Sequence, residues 1–164
     1  VESPVFIDTF KALGANPTPL PFPEIYNALQ QKVIDAQDNP IYTSILMKFT
    51  EVNKHATLTS HILTECPVVV NKKFWAKLTP EQKKLFMDAA QIQIRVNREN
   101  NAKNRVEALE KAKAQGVEVV LLTEAERSAF KKAVQPVHDK YRGVYGAAWY
   151  DFFLKKIAGY SAQK

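Results

Sequence analysis

The longest stretch of the chain without proline or glycine runs from Pro80 to Gly116, and apolar residues recur along it at helical spacing. Thr79-Pro80-Glu81-Gln82 opens it as a capping box with proline in the first turn. The spacing predicts one helix over 80–115, roughly 36 residues or about 54 Å at ~1.5 Å per residue. Leu85, Phe86, Ala89, Ile92 and Val96 mark its first part, Asn97, Asn100, Asn101 and Asn104 crowd the middle, and apolar positions resume at Val106 and Leu109. Two apolar ends around a polar middle describe a strut across two lobes.

Upstream, Ser3 and Pro4 are a helix start, Phe6, Phe10 and Leu13 share one helical face, and Gly14 is a stop, so 3–14 is expected as a short amphipathic helix. Pro17, Pro19, Pro21 and Pro23 then recur every second residue. Each forces its predecessor into extended geometry and removes an N–H from the same side. Residues 17–22 are therefore expected as an edge strand that pairs only through the N–H groups of Thr18, Leu20 and Phe22. Residues 24–31 follow as helix with Ile25, Ala28 and Leu29 inward, 33–36 as a short buried strand, and Gln37-Asp38-Asn39-Pro40 as a polar loop. A strand end followed by a helix start is where open α/β sheets place their ligands.

Residues 41–49 are expected as helix, with Ile45, Leu46 and Phe49 facing a core, and 57–63 as strand. Residues 67–70 are nearly all apolar, as in a strand buried on both faces, and Glu65-Cys66-Pro67 breaks the run. Residues 117–122 are a further strand. Thr123-Glu124-Ala125-Glu126 is a second capping box, whose helix runs towards Gly143, and 146–157 is a terminal helix carrying Trp149, Phe152, Phe153 and Ile157. Helices alternating with strands give an α/β fold. A helix at 3–14 leading into a strand is half of a strand-helix-strand unit, so the sequence is expected to begin inside a fold.

The chain has 164 residues with 46% hydrophobic content, enough for an ordinary globular core. A net charge of +6 and a pI near 9.3 favour acidic partners: nucleic acid, an anionic surface or small organic anions. Cys66 is the single cysteine, which excludes an internal disulfide and a cysteine metal cluster. No apolar run approaches ~18 residues and no signal-peptide pattern opens the chain. Catalytic signatures such as G-x-S-x-G, H-E-x-x-H, a phosphate loop or a dinucleotide fingerprint are missing, which weighs against a small basic enzyme. A nucleic-acid-binding domain would use the basic long helix, but aromatic residues are not interleaved there for base stacking. No catalytic residue, metal site or cofactor is assigned.

Residues 14–40 carry the pattern G-A-x-P-T-P-x-x-x-x-E-x-Y-x-A-L-Q-x-x-x-x-D-x-Q-x-N-P. This resembles the signature of the extracytoplasmic solute-binding proteins of TRAP transporters, the DctP-like family. Lys54, Thr59, His61-Ile62-Leu63, Pro67-Val68-Val69-Val70-Asn71 and Leu78-Thr79-Pro80-Glu81 fit the same family, and Ala36 stands where many relatives have glycine. The resemblance implies the C-terminal half of a two-lobed periplasmic-binding-protein-like fold with a long helix spanning both lobes. In that scheme residues 1–65 belong to ligand-binding lobe 2, whose start is missing. Residues 66–164 supply a crossover strand, the long helix 80–115, the strand 117–122 and C-terminal helices bridging the lobes.

The resemblance also implies a function: capture of a small organic acid outside the cytoplasm, in the periplasm, and delivery to membrane permease subunits. Phe22 becomes an aromatic wall of the ligand site and Asn39 an amide able to donate to and accept from a carboxylate. Against this, Phe22 is also compatible with a core and Asn39 with a simple turn before Pro40. Gln37 and Asp38 are loop neighbours in the candidate ligand set, and an aspartate there would repel an anion unless it accepts from a hydroxyl. His61 completes the set, although a histidine in a strand is more often structural. The family holds the ligand carboxylate with an arginine on the strand just ahead of the 3–14 helix, whereas the earliest arginine here is Arg95. The expected partners are therefore the organic-acid ligand, the permease, and either the missing N-terminal half or a second copy of this chain, with no nucleic acid.

Overall fold

The computed structural model describes residues 3–63 and 66–161. In chain order the elements are α1 (Pro4–Ala12), a 3-10 turn (Phe22–Glu24), α2 (Ile25–Gln30), α3 (Ile41–Leu46), α4 (Phe49–Val52), β1 (His55–Leu58), α5 (Lys72–Ala76), α6 (Pro80–Ala114), β2 (Glu118–Leu121), α7 (Glu124–Ala133), α8 (Gln135–Tyr145) and α9 (Ala147–Ser161). They form two compact units, Ala36–Leu121 and, joined from both chain ends, Val1–Asp35 with Leu122–Lys164.

In the unit Ala36–Leu121, α6 begins as the sequence dictates. Thr79 Oγ1 accepts from Gln82 N at 3.3 Å, while Gln82 Oε1 accepts from Thr79 N at 2.9 Å. It ends at Gly116, whose φ of +73 lets Gly116 N reach Lys113 O at 2.9 Å and Val117 N reach Ala112 O at 3.0 Å. These are the two bonds of a Schellman motif, and buried Val117 and Ala112 supply its apolar contact. The chain then turns straight into β2, which pairs in parallel with β1 in the register His55↔Glu118 to Leu58↔Leu121. The C-terminal part of α6 packs on α3, and its buried positions are Ala108 and Ala112, an i,i+4 pair small enough to let the two helices approach closely. Phe49 is the largest fully buried side chain. Thr50 Oγ1 donates to Gln115 Oε1 at 2.7 Å and Lys54 Nζ to Gln115 O at 3.2 Å, which ties the α4 end of the unit to the α6 terminus. At the other end of α6, Phe86 meets Phe74 and Trp75 of α5 edge-on, each at 6.0 Å between ring centroids.

In the second unit, α8 packs against α1, α7 and α9. Tyr141 and Val137 of α8 and Leu29 of α2 are buried. Tyr141 Oη donates to Asp8 Oδ2 at 2.9 Å, and Lys140 Nζ lies 2.6 Å from the same oxygen. These two donors hold the Asp8 carboxyl below its usual value. Arg142 clamps Asp151 of α9 through two hydrogen bonds at 2.8 and 2.6 Å.

Several expected elements differ. The helix expected to run from Thr123 towards Gly143 is two helices broken at Val134, because Pro136 lacks an N–H and its ring excludes a continuous turn. Residues 33–36 form no strand. Instead Val33 N donates to Ala28 O at 2.8 Å and Lys32, at φ 58, donates to Leu29 O at 3.1 Å, so these residues close α2. Residues 17–22 and 67–70 are also without strand pairing among the described residues, and Val68 and Val69 are exposed rather than buried. A strand needs a ladder partner as well as suitable residues. The expected 41–49 helix stops at Leu46, where Lys48 takes a left-handed conformation, φ 60, and α4 restarts at Phe49. Of the break read at Glu65-Cys66-Pro67, Glu65 lies outside the described residues.

Candidate functional site

Asn39 sits in the extended segment just ahead of α3, and its side chain is fixed from within that segment. Asn39 Nδ2 donates to Gln37 Oε1 at 2.7 Å, and Gln37 Nε2 donates to Ser44 Oγ at 2.9 Å. Ser44 is buried on α3, and its hydroxyl donates back to Pro40 O at 3.3 Å. The helix start thus supplies a rigid anchor one turn beyond the loop, since Ser44 N also donates to Pro40 O at 3.0 Å. Asn39 spends one N–H on Gln37, which leaves a second N–H and the Oδ1 lone pairs as its remaining hydrogen-bonding capacity.

Asp38 points to a different neighbour. Its Oδ2 lies 3.5 Å from His61 Nε2, and His61 Nδ1 lies 2.6 Å from Thr59 Oγ1. His61 is not in a strand, contrary to expectation. The register of β1 with β2 ends at Leu58↔Leu121, and Ser60 at φ 50 turns the chain out of extended geometry, which places Thr59 and His61 side by side. Within one unit, Gln37 and Asn39 thus form one hydrogen-bonded pair, and Asp38 faces His61 in another. Phe22 belongs to the other unit, half-exposed at the start of its 3-10 turn, where Glu24 N donates to Pro21 O at 2.9 Å. Sequence reasoning missed Ser44 and the pairing role of Thr59. A serine one turn after a loop proline is the signal for Ser44, and nothing in the spacing marks Thr59. It also missed α5, which Asn71 caps by accepting from Lys73 N at 2.9 Å and Phe74 N at 3.2 Å.

The chemistry this cluster offers is recognition. It holds an amide with both polarities, a carboxylate beside an imidazole, and a hydroxyl. Among the described residues no three His, Cys, Asp or Glu side chains are placed to hold a metal ion. No helix among them is long and apolar enough to cross a membrane. Asp8 and Asp151 are held below the usual carboxylate value by hydrogen bonds from Lys140 and Arg142, Glu81 by a backbone hydrogen bond and Thr79, and Glu126 by its hydrogen bonds with Thr123.

The family model for bacterial extracellular solute-binding proteins of family 7, DctP, matches residues 1–143. The 2,3-diketo-L-gulonate-binding periplasmic protein YiaO of Escherichia coli K12 is 38% identical over 133 residues, 81% of this chain and 40% of that protein. A TRAP periplasmic solute-binding protein from Ochrobactrum anthropi, solved with its C-terminus bound in the ligand-binding pocket, superimposes with a TM-score of 0.85 at 33% identity over 100% of this chain and 51% of that one. A counterpart from Shewanella oneidensis with bound succinate gives a TM-score of 0.84 at 28% identity over 92% of this chain and 50% of that one. The chain spans about half the length of the relatives it matches. Its α/β fold is the fold of these periplasmic proteins.

Proposed function

The chain belongs to the bacterial extracellular solute-binding protein family 7, and from that membership we propose that it works in the solute-capturing component of a TRAP-type secondary transporter. That component acts outside the cytoplasm, in the periplasm, where it takes up a small organic acid and delivers it to the membrane permease. It carries the acid unchanged and is no enzyme. The observation that carries the reading is Asn39, an amide fixed by its own loop at the position where the resemblance implies a ligand contact. Asn39 is the principal polar contact to the ligand, and Gln37, Asp38 and His61 form its surroundings. Residues 1–65 contribute to one ligand-binding lobe, and 66–164 to the segments that bridge two lobes. The remainder of a family-sized polypeptide, or a second copy of this chain, completes the site.

Calorimetry of the natural full-length protein against succinate, D-glucuronate, 2,3-diketo-L-gulonate and ectoine tests this reading. One of these probes is expected to bind at micromolar Kd or tighter and to be recovered chemically unchanged. The 164-residue chain alone is expected to bind the same probe about 30-fold to several thousand-fold more weakly, the scale of losing one partner of a buried charge pair. No binding by the full-length protein, or turnover of the bound acid, refutes the reading.

A further inference from the structure

We infer that Ser44, buried on α3 and remote in character from a ligand contact, is a positioning residue that sets which way the Asn39 amide faces. The inference rests on the reading of Asn39 as the ligand's polar contact, and it adds the device that orients that contact. Each link in the chain of bonds has a direction. The Ser44 hydroxyl has one proton, which goes to Pro40 O at 3.3 Å, so towards Gln37 it presents a lone pair. Gln37 must then turn Nε2 to Ser44, and its planar amide leaves Oε1 on the opposite side to accept from Asn39 Nδ2 at 2.7 Å. Asn39 in turn is locked with Nδ2 towards Gln37.

The opposite polarity has a defined cost. A flipped Gln37 would need the Ser44 proton, which would abandon Pro40 O, and Asn39 would have to present Oδ1 to Gln37. An amide in a loop with no such anchor would populate both orientations, since the two ends are nearly equal in shape. A carboxylate ligand distinguishes them sharply, because it accepts only from the N–H side. The relay thus lets a hydroxyl that never touches the ligand fix the orientation of the amide that does.

The test uses the natural full-length protein and reads the Asn39 side-chain NH2 resonances by 1H–15N NMR. In the wild type the two Asn39 protons should be well separated, with the one bound to Gln37 exchanging slowly with water. In Ser44→Ala the separation should collapse while the backbone amides of α3 keep their positions. Gln37→Glu should keep a strong acceptor for Asn39 Nδ2 and preserve the separation, because only the link to Ser44 is lost. Gln37→Met, at a half-exposed site, removes both links and should reproduce the Ser44→Ala collapse, including where Ser44→Ala itself does not fold. Unchanged Asn39 resonances in Ser44→Ala, or in Gln37→Met where it is the readable variant, overturn the inference. Calorimetry with succinate, if that acid binds the wild type, should show Ser44→Ala about 3- to 10-fold weaker, the scale of one neutral hydrogen bond. Equal affinity also overturns the inference. Failure of every carboxylate probe to bind the wild type overturns the proposed function instead, and the NMR result then decides the relay on its own.

Discussion

Replacing Asn39 by Asp separates hydrogen-bond donation from shape, because the two side chains are nearly isosteric. The substitution acts in three places. Asn39 Nδ2 donates to Gln37 Oε1 at 2.7 Å, and a carboxylate there turns this bond into an oxygen–oxygen contact. Relieving it requires Gln37 to flip and give up its donation to Ser44, a loss of about 0.5–1.5 kcal/mol. A bound carboxylate loses an N–H donor, about 1.5–3 kcal/mol for a hydrogen bond to a charged group. It also gains a like charge, which at ~4 Å costs about 1 kcal/mol at the dielectric of water and about 4 kcal/mol at that of a protein surface. The last two terms, the ones that differ between the free and bound protein, come to at least about 2.5 kcal/mol, so affinity should fall at least ~70-fold. Asn39→Ala removes only the donor and the Gln37 link, and should cost roughly 10- to 100-fold. Calorimetry on the full-length protein with its best carboxylate probe measures both. Raising the ionic strength from about 0.15 M to about 1 M should narrow the gap between the two variants, since only one carries the charge term. If Asn39→Asp binds no more weakly than Asn39→Ala, no anion lies against Asn39 and the site is wrongly placed.

Phe49→Ala should destabilise the unit Ala36–Leu121 by about 3–5 kcal/mol, because Phe49 is only 1% exposed and the cavity it leaves adds to the lost burial. Urea unfolding followed by far-UV circular dichroism checks this, and a loss below about 1 kcal/mol would mean that the core lies elsewhere. The contact of α1 with α8 should be pH-dependent at both extremes. Asp8 is held below its ordinary 3.8 by the Lys140 hydrogen bond first and Tyr141 second, so its stabilisation is complete above 3.8 and is lost as pH falls through the lowered value. Lys140 is raised above 10.5 by Asp8, so its share is complete below 10.5 and is lost as pH rises through the raised value. Thermal midpoints of wild type and Asp8→Asn should therefore differ most between those limits and converge outside them; a constant difference at all pH values would refute the pairing.

The features legible in the sequence are those whose hydrogen bonds close within a few residues. The capping boxes at Thr79 and Thr123 bond across three positions, and both helices start where the sequence places them. Gly116 ends α6 because its left-handed φ costs a glycine little, and that too is local. Strands obey another rule. The apolar residues 67–70 and the alternating prolines of 17–22 have strand-like character on their own side, yet pairing depends on a neighbour from elsewhere in the chain. Lys32 shows the converse error, because a left-handed lysine gives no sequence signal, and its Schellman closure of α2 takes up Val33, the first residue of the expected strand. Pro136 is visible in the sequence, and its break of the helix at Val134 follows from the missing N–H and the ring.

The candidate site straddles this divide. Gln37, Asn39 and Ser44 are joined within one loop and one helical turn, so the amide relay follows from local sequence once Ser44 is seen to be buried. The pairing of Asp38 with His61 joins segments more than twenty residues apart, on either side of β1, and no periodicity announces it. It bears on the objection that an aspartate beside Asn39 would repel an anion, because it gives that carboxylate a partner. The Asp38 carboxylate is turned to an imidazole 3.5 Å away that Thr59 holds from its other nitrogen. The Asn39 amide keeps a remaining N–H for an acid while the neighbouring carboxylate faces His61.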